Sequence, residues 1–450
     1  MQKTVVIDVV GLSSSLIGEH TPFLAKYIVG RQLHTIEPML PAVTTSVQST
    51  YHTGKWPAEH GIVGNGWYDR VDCEVKFWKQ SNKLVMAESI CEKAKKEDPH
   101  FTCSQMFWWY NMYSAADYSV TPRPNYLADG RKLPDCYSHP AELRDELQEK
   151  LGQFPLFQFW GPGANIKSTR WIADASMLTD NLHDPTLTMI YLPHLDYCLQ
   201  KFGPDFSKIA TDLSEIDAVV EELIRFYEKK NAKVIILSEY GITSVNNPIH
   251  LNRIFRKEGL LQIRVERGLE LLDAGASKAF AVADHQIAHV YLNDSSVEAK
   301  VKNILEKIPG IERILDREAQ AAHHINHERA GDLVVMANKN SWFTYYFWLD
   351  DAKAPDYARS VDIHKKPGYD PVEMFMTSKL RAAYKLLRKK MGFRYVMDII
   401  PLDATLIKGS HGCTNTTLEF HPILITDKKH GDGNIIATDI FEIIWAHLFF

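Results

Sequence analysis

What this chain has little of narrows it first. Six cysteines are spread through 450 residues, at Cys73, Cys91, Cys103, Cys136, Cys198 and Cys413, and no two form a C-x-x-C pair. That spacing supplies neither a zinc ribbon nor a disulfide framework, so all six are expected to be reduced, mostly structural thiols. No apolar run approaches the ~20 residues of a membrane span. The greasy tail, residues 435–450, is interrupted by Asp439, Glu442 and His447, the pattern of a helix packed on a core. After Lys3 comes only a short apolar run broken by Asp8 and Gly11, which is not a secretion signal and predicts a cytoplasmic protein. Charge of one sign is also lacking. Lys and Arg number 51 against 56 Asp and Glu, a formal net charge of -5, which gives no electrostatic case for a nucleic-acid polymer as partner. The basic cluster at 388–394 reads as a solvated face. There is no low-complexity tract, internal repeat or linker. With 45% apolar and 24% charged residues, the composition fits one large domain over residues 1–450.

What is present is an alternation of short β-branched runs with helical patterns. Strands are expected at residues 4–10, 186–192, 233–237, 288–292 and 332–336. Between the second and third, residues 206–230 set Ile209, Leu213, Ile216, Val219, Val220, Leu223, Ile224 and Phe226 along one stripe with charges opposite. Strand, long helix, strand is a βαβ unit, so the spacing predicts an α/β protein with a parallel sheet and helices on both faces. Residues 66–133 differ. They hold Trp67, Tyr68, Phe77, Trp78, Phe107, Trp108, Trp109, Tyr110 and Tyr113, and read as an aromatic-rich insertion or cap. Such density can wall a ligand pocket or simply pack as a sub-core.

Three of the expected strands end near an acid: Asp8, Asp196 and Glu239. In open α/β sheets ligands bind where strands deliver their carboxyl ends. Carboxylates gathered at one crevice are costly unless a cation joins them. Oxygen ligands of this kind suit Mg²⁺, Mn²⁺ or Ca²⁺, and Zn²⁺ if a histidine takes part. Between the first and second strands lies Pro41-Ala-Val-Thr-Thr-Ser46, hydroxyls at an expected helix start, followed by a Thr53-Gly54 turn and the loop His60-Gly-Ile-Val-Gly-Asn65. A hydroxyl at a helix N-terminus beside a cation is a plan for a nucleophile acting on a phosphate.

The order Val-Ile-Asp8, Pro41-x-x-Thr44, Thr53-Gly-x-x-Pro-x-x-His-Gly-Ile-Val-Gly-Asn65, Asp196 and Gly409-Ser-His-Gly412 resembles the alkaline phosphatase superfamily. The closest branch is the type I phosphodiesterase/nucleotide pyrophosphatase group, which includes phosphonoacetate hydrolase. The resemblance implies a three-layer α/β sandwich, with a mostly parallel central sheet, and a site with two metals, usually zinc. It places the nucleophile at Thr44, to be transiently phosphorylated, and metal ligands at Asp8, Thr44, Asp196 and His411. The chain departs from the family pattern where histidines are expected. Gln200 stands in one such position, and the family's Ser-Asp-His-Gly becomes Ser238-Glu239-Tyr240-Gly241. The asparagine that helps hold the transferred group falls at Val47, with Gln48 beside it. An amide and a phenol in place of two imidazoles harden the site, so one or two divalent ions, Mn²⁺ or Mg²⁺ as well as zinc, are expected. His194, or His364 with Asp362, is a candidate to restore nitrogen to the ligand set. Asn65, Gln48, Trp67 and Tyr68 are candidate substrate contacts, and the helix N–H groups near Thr45 and Ser46 are candidates to hold charge on the phosphoryl oxygens. The His323-His-Ile-Asn-His327 run is not expected to bind metal, because the turn after it argues against a helix through its histidines. The function implied is a metal-dependent hydrolase of small phosphoric (di)esters, pyrophosphates or phosphonates. A non-catalytic descendant that binds a phosphorylated metabolite, or a phosphoryl transferase, are the alternatives. No integral membrane segment is expected, and the oligomeric state is not written in the sequence.

Overall fold

Val5, Val6, Ile7 and Val9 are all wholly buried, as a strand must be when helices cover both faces of its sheet. In the computed structural model, which describes residues 1–129, 131–393, 395–430 and 434–450, Thr4–Val9 is the middle strand of nine. The sheet runs Ile435–Ile436, Gln32–Glu37, Ile423–Thr426, Lys233–Leu237, Thr4–Val9, Leu187–Leu192, Cys103–Met106, Tyr118–Pro122, Cys136–His139. From Lys233–Leu237 to Tyr118–Pro122 neighbouring strands are parallel, and antiparallel strands flank this block on both sides. The expected α/β sandwich is therefore present.

Side chains alternate across a strand, and the two faces have separate cores. Val5, Ile7 and Val9 join one apolar cluster, with the helices Ile166–His183, His194–Phe202 and Phe206–Lys229. Val6 joins the other, with Thr44–Thr53, Ile90–Glu97 and Asp439–Phe449. Asp8 shares the face of Val6. The pleat thus aims its carboxylate at the helix that begins with Thr44. On Phe206–Lys229 the apolar stripe is buried as expected, except that Tyr227 completes it and Phe226 is only partly covered. Each such side chain removed from water contributes roughly 1.5–3 kcal/mol, which fixes the helix firmly to the sheet.

Three expectations need correction. Residues 288–292 and 332–336 are strands, but of a separate four-stranded antiparallel sheet, Ala279–Asp284, Ile287–Leu292, Leu333–Ala337 and Ile311–Leu315. The His285-Gln286 turn between the first two leaves no room for the crossover that parallel pairing needs. This second sheet, with residues on to about 407, has its own core. Residues 66–133 are not wholly an insertion, because Cys103–Met106 and Tyr118–Pro122 are parallel strands of the main sheet. Their polar composition (Cys-Ser-Gln-Met in the first) concealed them, yet all four residues of the first are buried. Finally, Cys91 and Cys103 are joined as a disulfide, so not all six thiols are free. Among the described residues, no helix is long and apolar enough to cross a membrane.

Candidate active site

The acids arrive from three neighbouring strands. Asp8 stands in register with Tyr191 on one side and Leu237 on the other. Glu239 follows Leu237 by two residues. Asp196 occupies the first turn of His194–Phe202, directly after the Leu187–Leu192 strand. All three are buried. Thr44 opens the helix Thr44–Thr53, whose last turn closes on Gly54 in a left-handed conformation (φ 66°). A side chain at Gly54 would also press on Phe441, so glycine is required there on two counts.

One hydrogen-bonded network links these groups. The Thr44 hydroxyl lies 2.9 Å from the Tyr240 phenol. Tyr240 donates to Asp196 at 3.3 Å, and the Gln200 amide donates to the other Asp196 oxygen at 2.7 Å. Gln48 donates to Glu239 at 2.6 Å and, from the same nitrogen, to Asp8 at 3.4 Å, so its amide bridges two acids. The Gln48 carbonyl is itself held by the Trp109 N–H at 2.8 Å. His411 enters on the short strand Gly409–Ser410, which pairs with Thr243–Ser244. Gly409 lies so close to the Leu199 carbonyl that a Cβ would overlap it. The His411 Nδ1 is fixed by the Ala42 carbonyl at 2.7 Å, leaving Nε2 3.7 Å from Asp196. The Tyr240 ring stacks flat on His411 at 3.5 Å.

Two members of the site were missed from the sequence. Asp284 and His285 end the strand Ala279–Asp284 of the second sheet, and their rings and oxygens reach the first. His285 lies 3.8 Å from His411 and stacks on Tyr369 at 3.7 Å, while Tyr369 donates to the Gln200 carbonyl at 2.9 Å. Asp284 pairs with His285 Nδ1 at 2.8 Å. The signal was available: an Asp-His pair closing an apolar strand, Ala279-Phe-Ala-Val-Ala-Asp284.

Other expected contacts lie elsewhere or are already engaged. The Asn65 amide is used at both ends, accepting from the Thr45 N–H at 3.1 Å and donating to Asp284 at 3.1 Å. It pins the nucleophile helix to the second sheet. It also takes up one of the helix N–H groups assigned to a phosphoryl oxygen. Trp67 and Tyr68, adjacent on a strand, point to opposite sides and both pack in apolar cores, Tyr68 edge-on against Phe280 and Tyr291. The His364 ring faces the Phe77 carbonyl at 3.3 Å. His194 turns away from Asp196, toward Asp212 and Glu215 at 3.3 and 3.4 Å, where those three side chains could themselves hold a cation. Aromatic rings that do border the site are Trp78, Trp109 and Tyr369. Trp78 and Trp109 are in contact at 4.9 Å, and Trp78, Trp160 and Tyr369 line a small cavity.

The electrostatics are those of unbalanced acids. Burial, with Glu239 as a second cause, pushes Asp196 up to about 7. Burial raises Glu239 to about 6 and Asp284 to about 6. Asp8 rises well above the usual carboxylate range, through burial and then the Glu239 charge. Burial and then the neighbouring His285 hold His411 well down, so it is a neutral imidazole, the form that binds metal. Among the described residues no lysine or arginine pairs with these four acids. One oxygen of Asp8, one of Glu239 and the His411 Nε2 are buried without any hydrogen-bond partner. Buried atoms with free lone pairs beside uncompensated charge fit a divalent cation. Asp8, Thr44 and Glu239 form an oxygen-only half suited to Mg²⁺ or Mn²⁺. Asp196 and His411, with Gln200, form a half that retains a nitrogen donor.

Acids at the carboxyl ends of parallel strands, facing a threonine at a helix start, define an alkaline phosphatase-like α/β fold. The chain belongs to the type I phosphodiesterase/nucleotide pyrophosphatase family, whose model matches residues 4–370. Among curated relatives, it is 26% identical over 243 residues to an uncharacterized pyrophosphatase/phosphodiesterase of Schizosaccharomyces pombe, covering 52% of this chain and 41% of that one. It is 24% identical over 267 residues to ectonucleotide pyrophosphatase/phosphodiesterase 2 of Saccharomyces cerevisiae, covering 54% and 48%. The chain thus spans less than half the length of these relatives. Among solved structures, murine ectonucleotide pyrophosphatase/phosphodiesterase 5, an inactive variant in complex with AMP, superposes with a TM-score of 0.60 at 16% identity, covering 100% of this chain and 95% of that one. Phosphonoacetate hydrolase from Sinorhizobium meliloti with phosphonoformate gives 0.61 at 14% identity, covering 99% and 96%.

Proposed function

We propose that the protein is a metal-dependent hydrolase of small phosphoric diesters, pyrophosphates or phosphonates, with Thr44 as the nucleophile. The observation that carries this reading is the Thr44 hydroxyl, set at a helix start within a network of buried acids that have free oxygens and, among the described residues, no lysine or arginine partner. Asp8, Thr44 and Glu239 would hold one divalent ion, and Asp196, His411 and Gln200 a second. Such ions lower the pKa of a hydroxyl and neutralise charge on phosphoryl oxygens. The chain's own residues do the rest. Glu239, buried in the same network with one oxygen free, would take the Thr44 proton as the Oγ–P bond forms and the bond to the leaving group breaks in line. Tyr240 cannot act as the base, because burial and the Asp196 and Glu239 charges hold its phenol well above its ordinary value. It instead keeps the Thr44 oxygen in place. Trp78 and Tyr369 offer flat apolar surface to the leaving group. Water then cleaves the phosphothreonine.

The test is a screen of diester, pyrophosphate and phosphonate substrates with Mn²⁺, Mg²⁺ or Zn²⁺, followed by acid quench and mass spectrometry for phosphate on Thr44. Thr44→Ala should cut turnover at least about 10³-fold and remove the adduct, since it deletes the attacking atom. Unchanged turnover in that variant would end the assignment. A second reading, binding without turnover, is favoured by one observation: Gln48 and Tyr240 satisfy much of the site without a metal. Metal-free protein that binds phosphorylated ligands equally well with and without Thr44 would establish it. Product analysis with added alcohols separates hydrolysis from transfer.

A further inference from the structure

The helix Lys379–Lys390 presents itself the wrong way round for a soluble surface. Leu380, Tyr384, Leu387 and, just past its end, Met391 recur at helical spacing and fall on one stripe. That stripe faces solvent: the four are 84%, 55%, 54% and 56% exposed. What faces the protein is small or charged. Ala382 is buried, and Lys385 turns inward to Asp398 at 2.6 Å, where Arg381 also pairs. An ordinary surface helix does the opposite, burying its apolar stripe and wetting its charges. Beyond the helix, Phe393 and Val396 extend the exposed apolar patch.

Charge frames the stripe. The twelve residues hold Lys379, Arg381, Lys385, Arg388, Lys389 and Lys390, with no aspartate or glutamate. On a helical projection Arg388 borders one side of the stripe, and Lys379 and Lys390 the other. Arg394 lies outside the described residues. An apolar face with basic residues along both edges, on a helix far too short to span a bilayer, is the design of a segment that lies in a membrane interface.

We propose that Lys379–Lys390 docks the protein on a bilayer surface carrying anionic lipids. The apolar stripe enters the headgroup–acyl boundary while the basic edges meet phosphate headgroups. Charge selects this occupant over a second copy of the chain. Two such helices mated through their stripes would set basic edge against basic edge, whereas an anionic surface neutralises both at once. A helix of twelve residues covers about 18 Å of surface, enough for three turns of contact. The docking does not depend on the hydrolase reading, and the proposed catalytic residues take no part in it.

Flotation of the full chain with vesicles tests it, comparing phosphatidylcholine alone with phosphatidylcholine containing phosphatidylglycerol. The protein should float with the phosphatidylglycerol vesicles, less so at high salt. The double substitution Leu380→Glu and Leu387→Glu should weaken that binding by at least about tenfold. Both side chains point to solvent, so the variant's circular dichroism and melting temperature should match the parent's, which separates lost docking from lost folding. The proposal is overturned if the parent stays unbound to anionic vesicles at low salt, or if the double variant binds as well as the parent. It is equally overturned if the stripe instead forms a dimer that the substitutions dissolve, with no vesicle binding by either protein.

Discussion

In the absence of a bound cation this protein should become less stable as pH rises toward neutrality, the reverse of the usual acid denaturation. Asp196 is the clearest lever. In the unfolded chain it titrates near 3.8, and in the folded protein burial and Glu239 carry it to about 7. Between those values the folded form keeps a proton that the unfolded form has released. Stability is therefore greatest below pH 4 as far as this group is concerned, falls through pH 4–7, and is fully lost above 7. An acid displaced from 3.8 to about 7 carries about 4 kcal/mol at ~1.4 kcal/mol per pH unit. Glu239, displaced from 4.5 to about 6, adds about 2 kcal/mol over its own window. Unfolding entropy for 450 residues is roughly 0.9 kcal/mol/K, so the Asp196 part alone corresponds to about 4 °C in melting temperature. The assay is thermal unfolding in a chelating buffer at pH 5, 6, 7 and 8, repeated with Mn²⁺ or Zn²⁺. Metal should restore the loss at pH 8, because a cation stabilises the charged acids that protons no longer neutralise. Asp196→Asn should flatten the metal-free profile and outlast the parent by a few degrees at pH 8. A metal-free parent that holds or gains stability from pH 5 to 8 would refute the picture of uncompensated buried acids.

Other consequences are more local. Tyr240→His restores an imidazole beside Asp196 and Thr44, and should raise zinc affinity by about 10–100-fold in a competition titration with a chromophoric chelator. Gln48→Leu removes the amide that bridges Asp8 and Glu239, and should cost the metal-free protein about 1–3 kcal/mol in denaturant titration while leaving the metal-loaded protein less affected. Gly241→Ala forces a methyl group into the Phe420 carbonyl, immediately after Tyr240. It should lower the melting temperature and, because Tyr240 must move, reduce turnover as well.

The parallel core of the fold was readable because its strands are uninterrupted apolar runs and the helix Phe206–Lys229 has a clean 3.6-residue stripe. Asp8, Thr44, Asp196, Glu239 and His411 could be named because acids, a hydroxyl and an imidazole recur in a specific order with Thr53-Gly54 and His60-Gly61 between them. Two kinds of information were not local. Cys103–Met106 carries buried polar residues, and no periodicity marks a strand whose burial is supplied by its neighbours in space. Asp284 and His285 belong to a different sheet, and only the packing of that sheet on the first brings them to His411. Trp67 and Tyr68 misled for the same reason. Their aromatic character was visible, but the side on which each would be covered depended on the second core.

The substitutions at positions 200 and 240 acquire a structural sense from that second sheet. Gln200 is not a vacant ligand position. Its amide is tied to Asp196 at one end and its carbonyl to Tyr369 at the other, and Tyr369 is stacked by His285. The imidazole absent from the helix His194–Phe202 is thus offset by one that arrives from Ala279–Asp284 and lies against His411. The oxygen-only half, Asp8, Thr44 and Glu239, is built entirely on the main sheet and the helix after it. The nitrogen-bearing half is completed across the junction, where Asn65 and Asp284 fasten the nucleophile helix to the second sheet at 2.8 and 3.1 Å. Any shift of that sheet would therefore reach Thr44 through Asn65 and His411 through His285, while Asp8 stays fixed between its neighbours in the main sheet.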